Sequence, residues 1–274
     1  MTTMTATWVK WTGGALLAIL LLLTLVPFIL LAFFSFKTQI EVLIEFWGMP
    51  EKLHFENYTA AWDVVRNSIS HSLLVCFSTV LGAVLLGSLS GYVFARHQFP
   101  LKGLLYILLI GVMMIPSLLT IVPLYAIVSK IGITGSYWGL ILPYISGTQL
   151  LGILLCRTLF ESLPEELFEA ARMDGGNEFY LYSRVALPLC IPVLVTVGIV
   201  TFLAVYSDYL WPFIVLDQEH QTFTMAAVSL NHSGRSDVGL SFVGYIIGSV
   251  PTILVIIFGM KYYIEGMVSG AVKS

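Results

Sequence analysis

Charge is scarce in this sequence: Asp, Glu, Lys and Arg make up 11% of it, against roughly 25% in a soluble domain. With 58% hydrophobic residues and a mean hydropathy of +0.91, that scarcity excludes an ordinary water-soluble globule and marks an integral membrane protein. Cysteine is scarcer still. Cys76, Cys156 and Cys190 are odd in number and fall in or at the ends of apolar runs, so neither a disulfide framework nor a CxxC metal site is supported. The five histidines show no HExxH or clustered spacing, which argues against metal chemistry. No GxxxxGK[ST] phosphate cradle and no GK dipeptide occur, so the chain carries no P-loop of its own. A formal net charge of -3 offers no basic surplus for nucleic acid.

What is abundant is hydrocarbon in runs of membrane length. A spanning helix needs about 20 apolar residues, and six segments qualify: Thr12 to Phe36, Ile69 to Ala95, Gly103 to Val128, Tyr137 to Cys156, Ala186 to Val205 and Val238 to Met260. The first exceeds the apolar core of a secretory signal, about 7 to 15 residues, and no small-residue cleavage site follows it. Lys and Arg in the short loops set orientation. With the N-terminus inside, Lys10, Arg96, Lys102, Arg157, Arg172, Arg184, Lys261 and Lys273 are cytoplasmic, whereas Lys37, Lys52, Arg66, Lys130 and Arg235 are outside. Both termini are therefore expected in the cytoplasm. The spans hold no mid-membrane charge, Asp208 at the outer end of the fifth being the nearest. An ion-coupled carrier normally keeps one, and no internal repeat suggests an inverted-repeat carrier. Any uphill transport would need a motor on another polypeptide.

Three features allow two readings each. In the outer loop, residues 37–68, Tyr58, Ala61, Trp62 and Val65 fall at helical spacing around a surface helix from Asn57 to Val65; it either anchors at headgroup depth or docks an external partner. Pro27, Pro116, Pro123, Pro143, Pro192 and Pro251 serve either packing kinks or hinges. "YSDYLWPF", with Tyr206, Asp208, Tyr209 and Trp211, is either an interfacial anchor or a set of ring faces and a carboxylate suited to a sugar.

The most polar stretch of the second half is "ESLPEELFEAARMDGGNEFYLYSRVALP". Ser162 and Glu165 have capping-box spacing, and Pro164, Glu165 and Glu166 suit a first helical turn. Gly175 and Gly176 would close that helix, with Asn177 capping a second one to Leu187. The spacing predicts Leu167, Ala170, Ala171 and Asp174 on one face, with Phe168 beside it. Glu161, Glu165, Glu166, Glu169, Asp174 and Glu178 make this hairpin acidic, so anionic headgroups would repel it. A protein partner suits it better.

Here the sequence resembles a known family. Glu169-Ala170-Ala171, then Gly175, Val185 and Leu187-Pro188 follow the pattern "EAA-x3-G-x9-I-x-LP" of the inner-membrane components of binding-protein-dependent ABC importers, with Val185 in place of isoleucine. "GYVFAR", "IPSLLTIVPLY", "YWGLILP", "LWPFIVL" and the tail "YYIEGMVSGAVKS" resemble the carbohydrate-uptake branch, in particular the smaller six-span permease of maltose-type transporters. The resemblance implies an all-α fold of the type I importer permease: a cytoplasmic N-terminus (1–11), a first span (12–36), an extracytoplasmic loop (37–68), a five-helix core (69–260) containing the coupling loop (158–185), and a cytoplasmic tail (261–274). It implies residence in a bacterial plasma membrane, no catalysis and no bound cofactor. Its partners would be a second permease subunit, a cytoplasmic ATPase dimer using ATP and Mg, an extracytoplasmic binding protein and a sugar. Leu167, Phe168, Glu169, Ala170, Ala171, Asp174 and Gly175 would then meet the ATPase. The tail, as an extended strand loosened by Gly266 and Gly270, would reach the same interface. The family often has tryptophan and asparagine near Tyr206 and Ser207, so a substrate role there departs from its pattern. An ion-coupled carrier and a non-transporting scaffold are the alternatives.

Overall fold

The computed structural model describes the backbone of residues 2–232 and 238–271, and side chains for 11–230, 238–262 and 264. Lys273 and Arg235, both used in the charge count, lie outside the described residues. Thirteen α-helices and one π-helical turn follow one another, with no strand among the described residues. They are α1 (Thr2–Phe34), α2 (Gln39–Ile44), α3 (Glu56–Arg96), α4 (Lys102–Met113), α5 (Ser117–Ile131), α6 (Trp138–Ser162), α7 (Glu165–Met173), α8 (Glu178–Tyr180), the π turn (Leu181–Ala186), α9 (Leu187–Leu189), α10 (Ile191–Ser207), α11 (Leu210–Val215), α12 (Phe223–His232) and α13 (Val238–Ala271).

Four helices are long and apolar enough to cross a membrane unaided: Trp11–Phe34, Glu56–Arg96, Trp138–Ser162 and Val238–Tyr262. The third and fifth expected spans are broken rather than continuous. α4 and α5 meet at 103°, and the arm Glu178–Leu189 meets α10 at 75°. Prolines cause both breaks. Pro116 precedes α5 with φ −60 and ψ 129, and a proline both biases the residue before it away from helix and lacks an N–H. Pro188 has no N–H for the carbonyl four residues back, and beside it the Leu187 N–H reaches Tyr182, five residues back, closing the π turn. Pro192, at the start of α10, repeats the effect after the bend. The expected surface helix at Asn57 to Val65 is the opening of α3, with Ala61 and Val65 fully buried and Trp62 half exposed. The tail differs most from expectation: Gly266 and Gly270 lie in helical backbone, because α13 continues to Ala271. Two glycines cost about 1 kcal/mol each, too little to stop so long an apolar helix.

The chain divides into two compact units, Met1–Arg66 with Ala226–Ser249, and Asn67–Met225 with Val250–Ser274. In the first, the segment after α1 is tied down by polar bonds. Thr38 and Glu41 form the capping box of α2, and the Glu41 carboxylate also accepts from Glu51 N–H at 3.0 Å. These bonds, the Thr38 N–H foremost, hold the Glu41 carboxyl below the usual carboxylate range. A depressed folded value stabilises the folded form above the unfolded value of about 4.3, and the contribution is lost as pH falls through the folded value. The protection of the Gln39–Ile44 amides, taken as observed exchange relative to the intrinsic rate at each pH, is therefore expected to be high at pH 6 and to fall below about pH 4.3; protection that does not change with pH would dismiss the carboxylate's role. Lys37 is completely buried. Its Nζ donates to Glu45 O at 2.8 Å and Phe46 O at 3.1 Å, over the Phe33 ring. Lys37→Met would leave Phe46 O without that donor, whereas Glu45 O keeps the Gly48 N–H at 3.1 Å, a cost of about 1 to 3 kcal/mol. Protease cleavage of the loop should accordingly rise about 5-fold or more, whereas an unchanged rate would mean that water replaces the ammonium.

In the second unit α3 and α6 approach at backbone distance. Ala83, Gly87 and Gly91 repeat every four residues on α3, the spacing that lets membrane helices pack closely. A Cβ on Gly87 would lie 3.0 Å from Gly152 Cα, and one on Gly91 would lie 2.8 Å from Cys156 Cβ.

Candidate coupling hairpin and polar cleft

The hairpin forms where the sequence puts it, by partly different means. Ser162 does not cap α7: its hydroxyl donates back to Leu159 O, and Pro164 occupies the N-cap position with no side-chain bond. Asn177 does cap the second arm, accepting from Tyr180 N–H at 2.9 Å. That arm is not one helix to Leu187, since the π turn interrupts it. Between the arms Gly175 sits at φ +85, a left-handed conformation that glycine adopts without strain.

The expected single face of α7 is divided. Phe168 and Ala171 turn inward and pack with Tyr92, Cys156, Phe160, Leu181, Tyr182, Ala186 and Cys190. They hold the hairpin to its own membrane helices. Leu167, Glu169, Ala170, Asp174 and Gly175 face outward, joined by Met173 and Phe179, which are 87% and 73% exposed. The carboxylates of Glu169 and Asp174 have no partner among the described residues. The other acids are largely engaged: Glu161 with Arg157 at 2.8 Å, Glu165 with Arg96 at 2.6 Å and Arg172 at 3.0 Å, and Glu178 with His97 at 3.4 Å and Arg172 at 3.9 Å. With Glu166, which is likewise exposed and without a partner among the described residues, the hairpin thus offers a partner three free carboxylates among exposed apolar groups. Sequence spacing gave no sign of the Arg96–Glu165 contact, which joins residues 69 apart.

The second candidate site divides as well. Tyr206 is buried and stacked on Phe202 and Phe223, and Tyr209 stacks on Phe213. Asp208 and Trp211 line a cleft of about 420 Å³ with Tyr144 and the hydroxyl residues Ser117, Thr120, Ser146 and Thr148. Asp208 Oδ2 accepts from Tyr144 OH at 2.7 Å and Oδ1 from Leu210 N–H at 3.0 Å. The Trp211 indole N–H donates to Gly139 O at 3.2 Å. That carbonyl would otherwise lack its helical donor, because the residue four places on is Pro143. Sequence spacing marked the tryptophan and the proline separately; only the fold joins them.

Helices of membrane length, proline-broken spans and an external hairpin with a free acidic tip define a multi-pass membrane protein of the type I importer permease fold. Residues 83–267 match the family described as binding-protein-dependent transport system inner membrane component, and the chain belongs to that family: it is a transport permease subunit. It is 30% identical to the probable ABC transporter permease protein YurM of Bacillus subtilis, over 90% of this chain and 83% of the relative. Identity to the melibiose/raffinose/stachyose import permease protein MelC of the same organism is 29%, over 90% of this chain and 91% of the relative. Among solved structures it is similar to a chain of a bacterial ABC transporter involved in import of the acidic polysaccharide alginate, with TM-score 0.80 and 18% identity, over 96% of this chain and 99% of that one.

Proposed function

We propose that this chain is one of two membrane subunits of an ATP-driven saccharide importer, with ATP hydrolysis on a separate cytoplasmic ATPase pair and delivery by an extracytoplasmic binding protein. The observation that carries this reading is the hairpin: an exposed protrusion whose Glu169 and Asp174 carboxylates lack partners among the described residues. Full-length similarity to relatives named for sugar import, such as MelC, supports the substrate class. Glu169 would meet a basic group of the ATPase, with Leu167 and Ala170 against its surface. Closure of the ATPase pair would draw two hairpins together and open the pathway outward. Both termini would lie on the ATPase side, the side favoured by the loop charges. The cleft beside Asp208 is the pathway this subunit would contribute, its hydroxyl lining suited to a sugar.

The test is uptake of labelled raffinose and trehalose into liposomes holding both membrane subunits, the ATPase and the binding protein. Uptake that requires ATP and all four components supports the reading. Uptake driven by a proton or sodium gradient without the ATPase would replace it with a carrier, and ATPase binding without uptake of any saccharide would leave a scaffold.

A further inference from the structure

Both backbone routes out of the hairpin have breaks in helical structure. One passes the extended Leu163-Pro164 link, the other the π turn and the 75° bend before α10. A hairpin connected only in this way would absorb in its joints part of any displacement imposed on it. Side chains supply a third connection, to the end of α3, and it grips both arms. On the first arm Arg96 Nη1 donates to Glu165 at 2.6 Å, Nη2 donates to Leu163 O at 2.7 Å, and the guanidinium lies 4.0 Å over the Phe168 ring. On the second, Ser88 and Tyr182 hydroxyls bond at 2.8 Å, and Tyr92 OH donates to Glu178 at 3.4 Å. Arg172 links Glu165 to Glu178 across the hairpin.

We infer that Arg96 is the positioning residue that makes the hairpin and α3 one moving body, so that displacement of the hairpin is delivered to a membrane helix instead of being lost in the loop. The inference rests on the hairpin being the ATPase-coupling element. Stability alone explains Arg96 poorly. Its side chain is only 11% exposed, and its Nε is buried without a partner among the described residues, a donor that costs free energy to leave unmade. Its carboxylate partner Glu165 is 51% exposed, and an ion pair open to solvent on one side contributes little to stability. What arginine adds is direction: a planar fork donating at a fixed angle to a side chain and a backbone carbonyl, pinned on a ring, resists rotation, which a lysine point charge does not.

The experiment uses the complete complex in liposomes, with Ser146→Cys as a reporter on the cleft. The native cysteines, Cys76, Cys156 and Cys190, are all buried. Labelling by a membrane-impermeant maleimide is compared with and without a non-hydrolysable ATP analogue. With native Arg96 the labelling rate should change about tenfold on adding nucleotide; with Arg96→Gln or Arg96→Lys it should change by less than about twofold, while the ATPase still co-purifies. A response that persists in both variants overturns the inference and leaves the coupling hairpin standing. Arg96→Lys behaving as native, with only Arg96→Gln failing and losing the ATPase, also overturns it, because Arg96 would then merely hold the fold. No nucleotide response with native Arg96 overturns the coupling reading itself.

Discussion

Glu169→Ala is expected to leave the chain folded in the membrane while weakening its hold on the ATPase by 30-fold or more (roughly), the lower end of the 2 to 5 kcal/mol lost when one partner of a buried charge pair is truncated. The two halves of this expectation come from one fact. The Glu169 carboxylate is exposed and has no partner among the described residues, so its removal takes nothing from the chain's own stability beyond about 0.5 kcal/mol. All of its effect should appear at the interface. Titrating purified ATPase against the permease pair in nanodiscs, with thermal unfolding of the same samples, separates the two. Unchanged affinity would mean that the free carboxylate is solvated in the complex too, and would shift attention to the exposed Met173 and Phe179.

Gly87→Val should have the opposite signature, a loss of assembly with no selective effect on the ATPase. A Cβ at Gly87 would lie 3.0 Å from Gly152 Cα, 3.2 Å from Gln149 O and 3.2 Å from Gly152 C. All three are backbone atoms of α6, which cannot swing aside as a side chain would. Two further methyls make α3 and α6 separate, and overpacking of this kind costs about 1 to 3 kcal/mol. Because Gly152 is equally close to Gly87 from its own side, no small local shift accommodates the added atoms. The check is the fraction of protein remaining monodisperse in mild detergent after heating, which should fall well below that of Gly111→Val. At Gly111 a Cβ would meet nothing within 4 Å. Equal losses at the two positions would show that the close approach of α3 and α6 carries little of the stability.

The sequence carried the hairpin clearly because its signals are local: Asn177 caps within three residues, and Gly175 turns the chain by its own φ. The same locality misled at Ser162, whose hydroxyl found Leu159 O before any α7 amide, while the capping box that does form, Thr38 with Glu41, escaped notice in the outer loop. Hydropathy counted the spans correctly if each bent pair is one crossing, but it could not bend them, because apolar composition is blind to what Pro116, Pro188 and Pro192 do to a hydrogen-bond ladder. The division of α7 into an inner and an outer face was equally illegible. Phe168 is buried because Arg96 and Tyr92 wait for it at the end of α3, a meeting fixed by tertiary packing. The Ala83-Gly87-Gly91 stripe was readable in principle at a spacing of four, and it shows that small residues in a span deserve the same scrutiny as charges.

The bond from Trp211 to Gly139 O constrains how this sequence can change over time. Pro143 leaves that carbonyl without a helical donor, and a buried carbonyl left unsatisfied costs about 1 to 3 kcal/mol. Removing the indole first exposes the debt; replacing Pro143 first restores an amide to the ladder and frees the tryptophan. The two positions are therefore epistatic with a direction: a lineage passes from proline with tryptophan to neither by way of the tryptophan alone.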